Sequence, residues 1–158
     1  MIPQKDKDLL LQDLCGRLPY GVKAYVKNWS KLERKWIEDV YVIKSVYPSS
    51  NNIFVSSNLG SVEIILGYSD YFIKPYLFPL SSMTEEQKKE LNKKFHVIDI
   101  YGNSIRIHYH SQGYWDTDLE VDFQDWLWLI NWLNKNHFDY NGLIEKGLAI
   151  DCTNLNIY

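Results

Sequence analysis

The sequence has little cysteine and no basic tract, and both absences limit the classes of protein it can encode. Two cysteines, Cys15 and Cys152, do not make a zinc site on their own. A disulfide between them stays open, although we interpret both as free thiols in a reducing compartment. A net charge of −3 without a Lys/Arg-rich tract disfavours general nucleic-acid binding through phosphate backbones, but leaves a local basic pocket open.

Long apolar runs and known catalytic motifs are also missing. No apolar run approaches the roughly 18 residues that a membrane span needs. The apolar run near the N-terminus is too short and too interrupted for a signal peptide. The sequence contains no Gly-rich phosphate loop, nucleophile elbow or HExxH motif. We therefore predict a cytoplasmic protein with no membrane association and no cofactor.

Aromatic residues, in contrast, are abundant. They make up 15% of the 158 residues, with twelve Tyr, six Trp and six Phe. Tyr and Trp bury a large apolar area and keep a polar group, so they suit both small cores and interfaces. The composition therefore leaves open whether these rings fill the core or form a recognition surface.

The first half of the chain has the pattern of a helix followed by short strands. Asp6 can cap a helix that carries leucines at helical spacing and that Pro19 ends. Alternating residues then predict a strand over 22–27, whereas 30–36 is either a turn of helix or a loop. Three further strand-like runs, separated by turn residues, lie at 39–47, 52–57 and 61–68. This order predicts an antiparallel meander or a small SH3-like barrel.

The second half begins with a clear helix signal. Thr84 and Gln87 form a capping box for a helix over 84–94, which carries mostly charged residues. Strands are predicted at 96–102, 104–110 and 118–123, then a helix over 123–138 and a short helix near 141–147. We predict one α+β domain, 1–158, in which a β-hairpin unit packs with the aromatic-rich helix. Two subunits, 1–80 and 96–158, could be joined by helix 84–94.

Residues 104–123 combine histidines with evenly spaced acidic residues. In one strand, Arg106, His108 and His110 share a face; in the next, Asp118, Glu120 and Asp122 do. Paired as a hairpin, the two rows would form an electrostatic lattice on the solvent side. The alternatives are a metal site built from His108, His110 and Glu120, or an acid–base pair of His108 and Glu120. Tyr114 and Trp115 at the hairpin tip could contact a ligand.

The predicted helix over 123–138 is apolar on more than one face. A stripe at helical spacing predicts its core side: Phe123, Trp126, Leu129, Ile130 and Leu133. Trp128 and Trp132 fall among the polar residues opposite. Either they are buried by another part of the chain, or they form a docking surface for a partner, a stacking platform for a ring, or a contact between copies of the chain.

Three stretches resemble a family of small uncharacterised proteins encoded by phages and mobile elements of gut bacteria. They are DLCGRLPYGVK (13–23), KPYLFPLSSMTEEQKKEL (74–91) and WLNKNHFDYNGLIEKGLAID (132–151). To our knowledge no activity or site residues are assigned to that family, so none transfer to this chain. The resemblance implies an accessory gene acting in the bacterial cytoplasm, a setting in which small proteins often bind host proteins or sequester nucleotide signals of antiphage defence.

These observations favour a non-enzymatic binding protein that engages a host protein or a small nucleotide-like ligand, with a counter-defence role and possible self-association. The candidate contact residues are Trp128, Trp132, Tyr114, Trp115, Arg106 and His108. The alternative function is a metal-dependent hydrolase or nuclease that uses His108, His110 and Glu120.

Overall fold

The computed structural model describes residues 2–30, 33–57, 60–66, 71–95, 97–101, 104–108 and 123–158. Its helices are α1 (Gln4–Arg17), α2 (Glu85–Phe95) and α3 (Phe123–Lys135). Its strands are β1 (Lys23–Ser30), β2 (Lys35–Tyr47), β3 (Asn52–Ser57), β4 (Gly60–Ile65), β5 (Tyr71–Pro79), β6 (Val97–Tyr101), β7 (Ser104–His108), β8 (Phe138–Asp139) and β9 (Ile150–Asp151). The α+β class is confirmed. None of the helices within these ranges is long and apolar enough to cross a membrane.

Helix α1 covers the inner side of the sheet. It begins after Pro3, whose carbonyl accepts hydrogen bonds from the amides of Asp6 and Lys7, so Asp6 lies in the first turn rather than at the cap. Of the residues predicted to recur at helical spacing, Leu10, Leu11 and Leu14 are buried, whereas Leu18 is partly buried and follows the helix, and Cys15 is exposed. Pro19 falls in a short 3₁₀ turn after the helix, and Gly21, at φ 66°, takes the left-handed conformation that leads into β1.

In the main sheet, strands β1 to β4 form an antiparallel meander, and the strand order is β4-β3-β2-β1-β5. Strand β5 does not continue the meander beside β4 but pairs antiparallel with β1. Within the ambiguous segment 30–36, Ser30 ends β1, residues 33–34 form a turn, and β2 begins at Lys35. The short strands β8 and β9 then add to β5 in parallel. Pro75 pairs with Ala24 on the β1 side of β5, before the positions where β8 and β9 join.

Alternation along the strands divides the sheet into an inner and an outer side. Val22, Ala24 and Val26 are fully buried, as their alternation predicted. A bulge between Ile43 and Ser45 shifts the phase of β2 against β3, so inward and outward positions exchange along the strand. The inner side packs against α1 and against residues 143–149, which form the first hydrophobic core.

A second core lies beyond β5, between α2, α3 and the hairpin of β6 and β7. The capping box of α2 is confirmed: the Thr84 amide donates to Gln87 Oε1 at 2.9 Å, and the Gln87 amide donates to Thr84 Oγ1 at 3.3 Å. Leu91 and Phe95 are its buried residues, as predicted. An ion pair of 2.7 Å between Lys94 and Asp125 ties α2 to α3.

The C-terminal part of the chain differs from its prediction. Helix α3 ends at Lys135, and His137, at φ 57°, turns the chain into β8. Residues 142–147 form hydrogen-bonded turns and not a helix. The chain then returns to the first core through Leu148 and Ala149.

Candidate functional site

Of the two tryptophans proposed for docking, Trp132 is a core residue. It is 6% exposed and stacks on Phe138, with ring centroids 5.7 Å apart and an interplanar angle of 13°. Trp128 is half-buried. Its ring centroid lies 6.5 Å from that of Trp132 and 5.7 Å from that of Phe95, which it meets edge-on. Burial, the alternative that the sequence left open for this pair, is therefore what the structure shows for Trp132.

The exposed aromatic rings of α3 are not those of Trp128 and Trp132. Phe123 is 74% exposed and Trp126 is 44% exposed, so their assignment to the core stripe was wrong. Leu129 and Leu133 are buried as predicted. The helix places Trp128 and Trp132 toward α2 and β8, because Phe95 and Phe138 lie on that side. When apolar residues cover more than one stripe of a helix, periodicity alone does not show which side faces the core.

The histidine stretch is only partly described. Arg106 is exposed on β7, and His108 is the last residue of that strand, where its backbone pairs with Val97. Four of the predicted site residues, His110, Tyr114, Trp115 and Glu120, lie outside the described residues. The described ranges contain no group of three or more His, Cys, Asp or Glu that could hold a metal ion. The lattice, the metal site and the hydrolase alternative therefore stay predictions.

The two cysteines are free thiols, as predicted. Burial raises the pKa of Cys152 to about 11 and also raises that of Cys15. A thiol is a nucleophile only as the thiolate, so these shifts disfavour both sulfur atoms as nucleophiles at neutral pH.

Sequence reasoning missed an aromatic surface on the outer side of the sheet, opposite α1. Strands β1, β2 and β5 carry it, and register brings its side chains together: Trp29 pairs with Trp36, Lys27 with Glu38 and Phe72, and Tyr25 with Lys74. We call this surface the aromatic face; it consists of Tyr25, Lys27, Trp29, Trp36, Glu38, Phe72 and Lys74. The signal was present in β1, where the same alternation that buries Val22, Ala24 and Val26 directs Tyr25 outward.

The rings of the aromatic face are substantially exposed although they contact one another. Trp29, Trp36 and Phe72 are 38%, 42% and 42% exposed. Trp29 meets Trp36 edge-on at 5.6 Å, and Tyr25 meets Phe72 edge-on at 6.2 Å. Edge-to-face pairs at such distances are favourable and hold both rings in place. The surface is thus pre-ordered by the sheet beneath it.

Lysines lie over two of these rings. The Lys27 ammonium is 5.5 Å from the Trp36 ring centroid, and the Lys74 ammonium is 5.2 Å from that of Phe72. Both distances are within the range of cation–π attraction. The face therefore offers planar apolar surface and positive charge side by side.

Glu38 organises the centre of the face. Its carboxylate accepts a hydrogen bond from Lys27 Nζ at 2.6 Å and another from the Tyr25 hydroxyl at 2.6 Å. These bonds hold the pKa of Glu38 below its usual range, and the bond to Glu38 raises the pKa of Tyr25 to about 12. Both groups consequently keep one protonation state through the neutral range.

A shallow cleft of about 330 Å³ continues the face beyond Tyr25. It is lined by Lys23, Asp39, Val40, Val42, Ser56 and Ser57. Lys23 pairs with Val42, and Tyr25, two residues further along β1, pairs with Val40. Residues two positions apart in a strand point to the same side, so the cleft lies on the outer side with Tyr25. The Asp39 carboxylate accepts a hydrogen bond from the Val40 amide at 2.8 Å.

No protein-family model, curated protein or solved structure matches the chain. The geometry of its own residues is therefore the basis for a function.

Among the described residues, a fully buried ion pair lies elsewhere, between the two cores. Arg17 donates to Asp13 at 2.6 and 2.9 Å and to the Phe138 carbonyl at 2.8 Å, and neither side chain of the ion pair is exposed. Asn141 donates to the same carboxylate at 2.8 Å, and the Tyr140 ring lies 5.2 Å from the guanidinium. Because the Asp13 carboxylate is fully engaged by these donors, we assign this group a structural role.

His137 is the buried histidine of the described chain. Tyr158 stacks on its ring at 3.9 Å with an interplanar angle of 11°. Burial, and then the positive charges of Arg17 and Lys23, lower the pKa of His137 to about 4. The imidazole is thus neutral at neutral pH, and Tyr158 covers it, which disfavours a catalytic role.

Proposed function

We propose that this chain is a non-enzymatic binding protein and that the aromatic face is its contact surface. The proposal is carried by one observation: three large rings, Trp29, Trp36 and Phe72, stand about two-fifths exposed on the central strands of the sheet. Trp and Tyr are enriched among the residues that dominate binding energies at protein contacts, and clustered exposed apolar side chains commonly mark such contacts.

The core does not require these rings. The inner side of the same strands supplies the buried residues, including Ala24, Val26 and Ile73. Outward positions of a half-solvated antiparallel sheet are usually polar. An aromatic residue at several neighbouring outward positions leaves apolar area in water, which a partner would remove.

The resemblance to proteins of phages and mobile elements supplies the proposed setting. The partner would then be a host protein or a nucleotide-like ligand, and binding would serve counter-defence in the bacterial cytoplasm. Among the earlier candidate contacts, Arg106 is exposed on the separate hairpin of β6 and β7, and Trp128 is half-buried in the second core. Neither belongs to the aromatic face.

Site-specific photocrosslinking tests the proposal. A benzophenone amino acid replaces Trp36 in one variant and Trp126 in a matched control, because the two side chains are 42% and 44% exposed. Both variants should keep the thermal unfolding midpoint of the unsubstituted chain, since neither ring is buried. After irradiation in a bacterial host, crosslinked species are separated and both their protein and nucleic-acid content are determined.

A discrete crosslinked species from position 36 that position 126 does not give is the expected result. Competition by unlabelled chain should remove it, whereas competition by Trp36→Ala chain should not. Identical crosslinking patterns from both positions, or none from position 36, would contradict the aromatic face as the contact surface.

A further inference from the structure

We propose that the aromatic face binds single-stranded nucleic acid, with bases stacking on its rings and phosphates near its lysines. This inference rests on the proposed function and names the partner class. Proteins that bind single strands without strong sequence preference combine aromatic platforms for bases with positive charge along the backbone. Sheets whose central strands expose aromatic rings are one established form of such a platform.

The order of side chains along β1 fits this chemistry. Tyr25, Lys27 and Trp29 occupy successive outward positions, and positions two residues apart in a strand are about 6.7 Å apart. Ring, ammonium and ring thus alternate along the strand. A single-stranded nucleic acid carries one base on each sugar of its sugar–phosphate backbone, so bases stacked on Tyr25 and Trp29 would bring a phosphate near Lys27, whose ammonium also pairs with Glu38.

Strand β5 repeats the alternation, whereas on β2 the carboxylate of Glu38 follows Trp36 and pairs with Lys27. Phe72 and Lys74 follow each other at the outward positions of β5, and β2 places Trp36 beside Trp29. Two of the rings therefore have an ammonium near them, at 5.5 Å for Trp36 and 5.2 Å for Phe72. A planar base that stacked on the side of such a ring that the ammonium leaves open would lie within reach of the same lysine.

Charge is unevenly distributed over the molecule. The chain as a whole carries a net charge of −3, but strands β1, β2 and β5 contain five lysines and only two carboxylates, Glu38 and Asp39. Lys27 is paired with Glu38 at 2.6 Å, and Lys35 is paired with Glu33 of the preceding turn at 2.6 Å. The three remaining lysines, Lys23, Lys44 and Lys74, outnumber the remaining carboxylate, Asp39, so these strands keep a net positive charge that complements a polyanion.

The cleft beyond Tyr25 extends this surface. Its polar lining includes Lys23, Ser56 and Asp39; the Asp39 carboxylate accepts from the Val40 amide, and the ammonium and hydroxyl groups can donate to phosphate oxygens. The Lys23 ammonium already donates to the Ile157 carbonyl, which leaves it further protons to donate. A strand passing over Tyr25 would bring a phosphate to this cleft.

Stacked duplex DNA is a poor fit for the same surface. Bases inside a duplex do not present their faces to a ring, so only phosphate contacts would remain, and the acidic chain offers few of them. The inference therefore specifies single strands, RNA or DNA, and predicts discrimination against duplex.

Fluorescence anisotropy with labelled oligonucleotides of about 15 nucleotides tests the inference. Oligo-dT, oligo-rU and a duplex of equal length are titrated with the full chain at about 50 mM salt and at higher salt. We expect both single strands to bind more tightly than the duplex, and their relative affinities distinguish RNA from DNA as the preferred form. Trp36→Ala should weaken single-strand binding roughly 5- to 150-fold, because it removes one stacking platform.

Two further variants separate stacking and charge from folding. Trp36→Phe should restore most of the affinity, since a smaller ring still stacks, whereas Trp126→Ala on α3 should have no effect. Lys74→Gln should reduce the slope of log affinity against log salt by about 0.7, with Lys88→Gln on α2 as its control.

Absence of single-strand binding, equal affinity for duplex, or equal loss with Trp126→Ala would each overturn the inference. Its failure is separable from failure of the proposed function. If position 36 crosslinks a protein while no oligonucleotide binds, the aromatic face is a contact surface for a protein and only the nucleic-acid inference is wrong.

Discussion

The surroundings of the buried residue His137 oppose protonation of its imidazole ring. Its side chain is 8% exposed, its Nδ1 has no hydrogen-bond partner among the described residues, and Arg17 and Lys23 add positive charge nearby. All three conditions disfavour the imidazolium. Tyr158 covers the imidazole ring. The Tyr158 hydroxyl accepts a hydrogen bond from the Lys23 amide at 3.1 Å and donates one to the Tyr76 carbonyl at 3.0 Å.

His137 should therefore make the protein less stable in acid. Its pKa falls from 6.5 to about 4 on folding, so the unfolded chain binds a proton that the folded chain rejects. This contribution to stability is complete above about pH 6.5 and is lost as the pH falls toward 4. Between about pH 7.5 and about pH 4.5, His137 should lower the free energy of unfolding by about 2 kcal/mol. Urea unfolding at the two pH values measures this change.

His137→Asn isolates that contribution, because Asn tolerates the left-handed backbone at φ 57° and does not titrate. The variant lacks the ring packing at every pH. Between the two pH values, however, its free energy of unfolding should fall by about 2 kcal/mol less than that of the unsubstituted chain. An equal acid sensitivity of both proteins would show that His137 becomes protonated without unfolding.

At the scale of elements, helix α3 shows what a sequence pattern does and does not determine. Its existence and approximate start were predicted, and so was the capping box of α2, because both depend on residues close in sequence. The buried side of α3 depends on Phe95 and Phe138, which come from α2 and β8. Periodicity contains no information about those partners, and the chosen stripe was rotated relative to the true one.

The sheet shows the same limit. Alternation predicted the inner side of β1, and turn residues predicted the meander. The aromatic face was missed because it forms only when Trp29 and Trp36 pair across a turn that the sequence left ambiguous, and when β5 returns to pair with β1. Both are contacts between segments that lie apart along the chain.

Trp132→Ala tests the observed orientation of α3. Trp132 stacks on Phe138 and is 6% exposed, so its removal should leave a cavity and lower the free energy of unfolding by about 4 kcal/mol. Trp126→Ala, on the exposed side of the same helix, should change it by no more than about 0.5 kcal/mol. Urea unfolding followed by far-UV circular dichroism measures both. Similar losses for the two variants would mean that the helix is oriented otherwise.

For the whole molecule, the main question is what joins its two hydrophobic cores. The ion pair of Asp13 and Arg17 lies on α1 in the first core, and Arg17 donates to the carbonyl of Phe138, a residue of the second. Gly16 lets the same helix approach α3 closely: a Cβ there would lie 3.0 Å from Asn134 Nδ2. Polar contacts, rather than continuous apolar packing, thus connect the two cores at this point.

Arg17→Ala should consequently destabilise the whole molecule. It leaves the Asp13 carboxylate buried without its cation and removes the donor to Phe138, a change that typically costs about 3–5 kcal/mol. Since Arg17 contacts both cores, the urea midpoints from far-UV circular dichroism and from tryptophan fluorescence should fall together. If the fluorescence midpoint alone fell, the ion pair would stabilise one core without coupling it to the other.

Two comparisons establish that burial of the charge causes the loss. Asp13→Leu/Arg17→Met removes both charges and keeps apolar volume, so it should recover most of the stability that Arg17→Ala loses. Lys88→Ala breaks the pair with Glu85, whose side chains are 40% and 73% exposed, and should change the free energy of unfolding far less than Arg17→Ala does, because water screens an exposed pair. A double variant as unstable as Arg17→Ala would instead assign the loss to the directional hydrogen bonds to Phe138 and Asn141, which no apolar side chain replaces.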